Sequence, residues 1–221
     1  VKVNEIFFSI QGESSYAGLP CVFVRLTGCN LRCSYCDTRH AYEEGEEQTP
    51  EQVLDAAARF PARLVEITGG EPLLQEETPS LIAGFIGRGY RVLLETNGSL
   101  PLRDVHEEAT AVVDIKCPGS GMSGRMLWEN LDALRSHDEV KFVLTDRTDF
   151  EWALDIIEQY RLHENHVVHI APAYGVLEPG RVATWLLESA AFTQNDFKDS
   201  GAVRLQLQLH KYIWPGVERG V

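Results

Sequence analysis

The sequence lacks any apolar run long enough to span a bilayer, which predicts no transmembrane helix. Positive charge is scarce: 20 Lys and Arg stand against 33 Asp and Glu, for a formal net charge of −13. Such a chain repels phosphate backbones, which disfavours general nucleic-acid binding, while a local basic pocket for a small anion stays open. Cysteine is sparse as well, with five in 221 residues. An odd number with three crowded together argues against a disulfide scaffold and for metal ligation in a reducing compartment. The opening Val1-Lys2-Val3-Asn4-Glu5-Ile6 lacks the pattern of a secretory signal. The expectation is a cytoplasmic protein with neither a membrane nor a nucleic-acid partner.

Hydrophobic residues make up 44% of the chain, enough to build a substantial core and to disfavour disorder. Its length suits one large domain or two small ones, and a single domain over residues 1–221 is expected. Apolar, β-rich runs fall at Cys21–Leu26, Leu64–Ile67, Arg91–Leu94, Ala111–Val113, Val140–Leu144 and His166–Ile170. Helical patterns lie between several of them. Thr49-Pro50-Glu51-Gln52 reads as a capping box with proline at the first helical position, and Thr78-Pro79 repeats the cap and proline. Phe150, Ala153, Leu154, Ile157 and Tyr160 share one helical face. Alternating strands and helices predict an α/β fold with a parallel sheet. About six βα units are too few for a full eight-unit barrel, so an incomplete TIM-like barrel is expected, with a doubly wound sheet as the alternative. Ala202–Leu209 is a further strand candidate without an assigned place.

The segment Gly28-Cys29-Asn30-Leu31-Arg32-Cys33-Ser34-Tyr35-Cys36-Asp37-Thr38 spaces its cysteines as C-x3-C-x2-C. Thiolates are soft ligands that suit iron–sulfur clusters or zinc. Three of them on a four-iron cluster leave one iron open to a second molecule. The zinc reading would take His40 as fourth ligand, but His40 lies closer to Cys36 than usual finger spacings allow. Cys21, within a strand pattern, reads as a buried thiol, and Cys117 has no assigned role.

The cysteine spacing, with aromatic Tyr35 before the last cysteine, resembles the radical S-adenosylmethionine (SAM) superfamily. The resemblance implies a 4Fe–4S cluster on Cys29, Cys33 and Cys36. It implies SAM on the open iron, cleaved to a 5′-deoxyadenosyl radical, with Tyr35 near the adenine. In a parallel barrel the active site lies at the carboxyl ends of the strands. There the sequence places Thr68-Gly69-Gly70-Glu71-Pro72, Glu95-Thr96-Asn97-Gly98, Asp114-Ile115-Lys116 and Ala171-Pro172-Ala173-Tyr174. Gly69-Gly70-Glu71-Pro72 resembles the superfamily's GGEP motif, and Glu71 could accept hydrogen bonds from the SAM ammonium.

Further segments narrow the resemblance: Glu5–Ser14, Phe23–Asn30, Cys36-Asp37-Thr38, Leu94–Gly98 and Gln208–Lys211. Together they resemble the 7-carboxy-7-deazaguanine synthase family. That resemblance implies a carbon–nitrogen lyase of queuosine and deazapurine biosynthesis. It would abstract hydrogen from C6 of 6-carboxy-5,6,7,8-tetrahydropterin, contract the ring and release ammonia. SAM would be regenerated, magnesium would assist, an external donor would supply the electron, and the chain would form a homodimer. The expected SAM-binding residues are Tyr35, Cys36, Asp37, Gly70, Glu71, Asp114, Ile115, Lys116, Ala171, Pro172, Ala173 and Tyr174. The expected pterin-binding residues are Ile10, Gln11, Gly12, Glu13, Arg25, Thr68 and His210. Arg25 would use its planar fork on the carboxylate, and Thr38 would ligate magnesium. Two departures stand out: Asp114-Ile115-Lys116 replaces the Ser-Pro-Lys of some relatives, and the chain runs past Pro215, where some relatives place a terminal proline carboxylate in the site. The competing readings are a radical SAM activase of another protein and a non-enzymatic zinc module.

Overall fold

The computed structural model describes residues 1–189 and 202–221. Among these residues nine strands form one sheet in the order β3-β1-β2-β4-β5-β6-β7-β8-β9. They are β1 (Lys2–Ile10), β2 (Pro20–Leu26), β3 (Glu46–Glu47), β4 (Leu64–Gly69), β5 (Arg91–Thr96), β6 (Thr110–Lys116), β7 (Glu139–Leu144), β8 (Val167–Pro172) and β9 (Ala202–Leu205). β1 is antiparallel to β2 and β3, and every neighbour from β2 to β9 is parallel. The parallel strands follow one another in chain order without the reversal that defines a doubly wound sheet. The sheet does not close, so the fold is the incomplete barrel expected. Ala202–Leu205 finds its place beside β8 at one edge.

Alternation along the strands sorts the side chains into two environments. Val24, Ile67, Leu94, Val113, Phe142 and Ile170 point outward into the main core, which the helices cover. Inward-facing positions are mixed. An apolar plug of Phe7, Cys21, Phe23, Leu64 and Leu93 fills the end where the strands begin. Above it come Glu66, Glu95, Asp114, Lys141 and His169 (all inward by the same alternation).

The helices are α1 (Pro50–Ala57), α2 (Thr78–Gly87), α3 (Glu129–Asp132), α4 (Arg147–Gln159), α5 (Leu162–Asn165), α6 (Pro179–Glu188) and α7 (Leu209–Ile213). The expected capping box of α1 forms: Gln52 N–H donates to Thr49 Oγ1 at 3.2 Å, and Thr49 N–H to Gln52 Oε1 at 2.8 Å. Thr78 is not the cap of α2 but its first residue. It is buried, and its hydroxyl donates to the Pro72 carbonyl at 2.6 Å, tying α2 to the loop after β4. On α4, Phe150, Ala153 and Ile157 are buried as expected, Leu154 and the C-capping Tyr160 pack partly buried against the same core, and Ile156 joins them. Among the described residues no helix is long and apolar enough to cross a membrane.

Candidate active site

The loop after β2 carries the three cysteines, each half-buried with a free thiol, and all three line one cavity at the carboxyl ends of the strands. The loop is held from below by the glycines at the end of β4. Gly69 has φ +149°, and a Cβ there would lie 2.7 Å from Leu26 N. A Cβ on Gly70 would lie 2.8 Å from the Cys29 Cβ and would overlap the Gly28 carbonyl. The bare backbone instead bonds the loop: Gly70 N–H donates to Leu26 O at 3.1 Å, and Glu71 N–H to Gly28 O at 2.7 Å. Hydrogen-bond donors also approach the sulfurs. Leu31 N–H lies 3.4 Å from Cys29 Sγ, the Asn97 amide lies 3.8 Å from the same sulfur, and Thr38 Oγ1 lies 3.8 Å from Cys36 Sγ.

Most residues expected at the site line this cavity, including Ile10–Glu13, Arg25, Tyr35–Thr38, Thr68, Gly70, Asp114, Lys116, Ala173, Tyr174 and His210. Four do not. Glu71 is fully buried beneath the glycine pair, and its carboxylate already accepts from Asn97 N–H at 2.7 Å, Leu73 N–H at 3.0 Å and the Thr96 hydroxyl at 2.8 Å. It ties β4 to β5 and has no face toward the cavity; burial raises its pKa despite these donors. Ile115 points to the helix side of the sheet, where it joins the main core. Ala171 packs with Val143 and Ala173 beneath the Tyr35 ring, and Pro172 is buried at the end of β8.

Arg25 is also used differently from the expectation. Its Nε donates to Glu5 Oε1 at 2.8 Å, so one edge of its fork is occupied by the protein. Glu5 Oε2 in turn accepts from Gly220 N–H at 3.2 Å, and Val217, Glu218 and Val221 reach the cavity. Asp37 pairs with Lys211 at 2.9 Å. Burial raises the Asp37 pKa, but the Lys211 charge and hydrogen bond outweigh it and leave it lowered. α7 packs on Gly12, where a Cβ would overlap the His210 ring, and Leu209 N–H donates to the Gly12 carbonyl at 3.0 Å.

The cavity floor holds two charged residues, Lys141 and Glu66, that reading the strand ends overlooked. Lys141, in the middle of β7, is 3% exposed. Its Nζ donates to Glu13 Oε2 at 2.7 Å and to Glu95, and lies 3.7 Å from Asp114. Burial raises the Glu95 pKa, but the Lys141 charge and hydrogen bond outweigh it and hold the group at about 2. Glu66, bonded to the Gln11 amide, is instead pushed up to about 8, first by burial and then by the Glu95 charge. Lys116 bonds Asp114 at 2.7 Å. Burial alone would lower the Lys116 pKa, but the Asp114 charge and hydrogen bond leave it raised. The mid-strand signal was available in principle, since Glu66, Glu95, Asp114 and Lys141 share strand parity, but only once the register between strands is known.

The donor set decides between the metal readings. His40 faces Glu5 Oε1 at 3.6 Å rather than the thiols, which leaves the zinc reading without its fourth ligand. Three soft sulfurs around an open cavity, with N–H donors beside them, suit an iron–sulfur cluster with one uncommitted iron.

Comparison with known proteins places this geometry. The family model of the Radical SAM superfamily matches residues 23–116. A 7-carboxy-7-deazaguanine synthase of Koribacter versatilis is 42% identical, with all of both chains covered. One of Chlorobaculum tepidum is 42% identical over all of this chain and 97% of its own. The crystal structure of QueE from Escherichia coli superposes with a TM-score of 0.75 at 24% identity, covering 95% of this chain and 94% of that one. With a radical SAM core and full-length relatives of one name, the chain is a radical SAM enzyme and belongs to the 7-carboxy-7-deazaguanine synthase family.

Proposed function

We propose that the enzyme converts 6-carboxy-5,6,7,8-tetrahydropterin to 7-carboxy-7-deazaguanine. The observation that carries this reading is the composition of one cavity. The cysteine loop forms one wall, Arg25 supplies a cation for a carboxylate, and the floor offers carboxylates to ring N–H groups. Cys29, Cys33 and Cys36 would hold the 4Fe–4S cluster, with SAM against Tyr35, Gly70, Lys116 and the Ala173-Tyr174 turn. When bound, these cofactors supply the hydrogen-abstracting chemistry at pterin C6.

The remaining work falls to the side chains. Glu5 is met by Arg25 Nε, and the Arg25 Nη atoms would fix the pterin carboxylate. Gln11, Glu13 and Thr68 would orient the ring, so that C6 rather than another carbon meets the reacting partner. Glu66, largely neutral near pH 7, can donate as well as accept a hydrogen bond. Thr38 would give magnesium a hard oxygen, since its hydroxyl lines the cavity and touches only Cys36 Sγ among the described residues.

An external donor would supply the electron, residues 1–221 would act as one domain, the chain would work in the cytoplasm, and two copies would pair to cover the sheet edges. Light scattering that gives a monomer at high concentration would overturn the dimer. The substrate is tested by anaerobic turnover of the reconstituted enzyme with SAM, magnesium, a strong reductant and the pterin deuterated at C6. Deuterium in 5′-deoxyadenosine or SAM, with 7-carboxy-7-deazaguanine formed, is the expected result. SAM cleavage without any product from this pterin would refute it.

A further inference from the structure

Lys141 is the one cation among the described residues paired with either Glu13 or Glu95. We infer that Lys141 is the positioning residue for recognition of the pterin ring. Its ammonium holds Glu13 and Glu95 side by side as aimed acceptors for the N–H groups of a flat, donor-rich heterocycle. The inference rests on the substrate reading above and adds the residue on which that recognition depends.

The geometry supports it from three sides. Glu13 is clamped, because Lys141 takes Oε2 at 2.7 Å and the Gln208 amide donates to Oε1 at 2.8 Å. Glu95 is held in the same way by Lys141 and by the Thr68 hydroxyl, which donates to Oε2 at 3.0 Å. Each carboxylate keeps further lone-pair sites for a ligand after accepting these bonds. An amino-pyrimidinone edge presents N–H donors to such a floor, whereas an anionic ring would be repelled by it.

The surroundings make the lysine necessary. β4 contributes Glu66, β5 Glu95, and β6 Asp114 with Lys116. Lys116 is committed to Asp114. On the β8 side, His169 bonds Glu139 at 2.6 Å, and that pair is turned to Ser15 N–H at 3.0 Å. From the C-terminal segment, His210 faces Glu13 and Glu95 without an ion pair, and Lys211 serves Asp37. Without the Lys141 charge, Glu13 and Glu95 would face each other with no paired cation, and a proton taken up there would remove an acceptor.

The test uses the reconstituted holoenzyme and three variants: Lys141→Met, Lys141→Arg and the double variant Lys141→Met with Glu95→Gln. Lys141→Met should raise the KM for pterin by roughly tenfold or more. It should also move the acid limb of kcat/KM upward by about one pH unit. Iron content and pterin-independent SAM cleavage should stay at the parent level. Lys141→Arg should restore the pH profile. The double variant removes both ends of one ion pair and so protects folding, yet it should keep the raised KM, because Glu13 still lacks its cation. An unchanged KM and pH profile in Lys141→Met overturns the inference. So does a parallel loss of iron, SAM cleavage and turnover, which would make Lys141 a folding residue only. If the parent enzyme fails to convert the pterin, the substrate reading falls separately. Carbon-13 NMR of glutamate carboxyls then decides the role of Lys141. Lys141→Met should bring the Glu95 resonance, held low by Lys141 in the parent, into titration above about pH 5, and its failure to do so refutes the proposal.

Discussion

Gly70 and Glu71 show how a motif can be legible while its part in packing is not. Their recurrence after a strand marked the site, but the local sequence could not reveal that the loop after β2 lies directly on top of them. The glycines make room for the Leu26 and Gly28 backbone and the Cys29 Cβ, and the glutamate braces the strand ends beneath them. Gly70→Ala should therefore lower the iron bound per chain by roughly half or more, through displacement of the cysteine loop. Unchanged iron and sulfide content would refute that role. Glu66 offers a second test. Its pKa of about 8 lies above that of a free glutamate, so folding favours the neutral form. That contribution to stability is complete below the ordinary glutamate range and is lost as pH rises through about 8. Glu66→Gln is neutral at every pH, so its melting temperature should fall less than the parent's between about pH 6 and about pH 9. Equal losses in the two proteins would count against the buried neutral acid.

Elements were readable to the extent that their signals were local. The α1 capping box and the parallel strands carry their own patterns of apolar residues and caps. β1 does not: Val3, Phe7 and Ser9 are buried while Ile6 is only partly so, and a bulge between Val3 and Glu5 breaks the alternation. β3, with two residues, is visible only through its partner. Lys141 was hidden for a related reason. It sits inside an apolar run, and its significance depends on β5, β6 and the loop after β1, which bring Glu95, Asp114 and Glu13 to it. The α1 cap gives a clean control for variants at the site. Thr49→Ala should cost about 1 kcal/mol in denaturant unfolding while leaving iron content and SAM cleavage as they are. No measurable change in stability would mean that the box adds nothing in the folded protein.

At the scale of the whole molecule, the open side of the sheet is bridged by the C-terminal segment. Gln206 donates to Ser14 O at 3.2 Å, Gln208 to Glu13, and Leu209 N–H to Gly12 O. The absence of side-chain bulk at Gly12 makes this docking possible. Gly12→Ala should raise the KM for pterin roughly tenfold through displacement of His210 and Gln208, with iron content unchanged. Parent-like kinetics would show that the segment docks independently of that contact. A barrel closed by a strand ladder has a circumference fixed in whole strand spacings of about 4.8 Å. Here the ring is completed by a polar seam of a few bonds, several of them from side chains, so its girth is set by side-chain length. Changes of side chain in residues 204–210 can thus retune the width of the chamber in steps smaller than a strand, without re-registering a single hydrogen bond in the sheet.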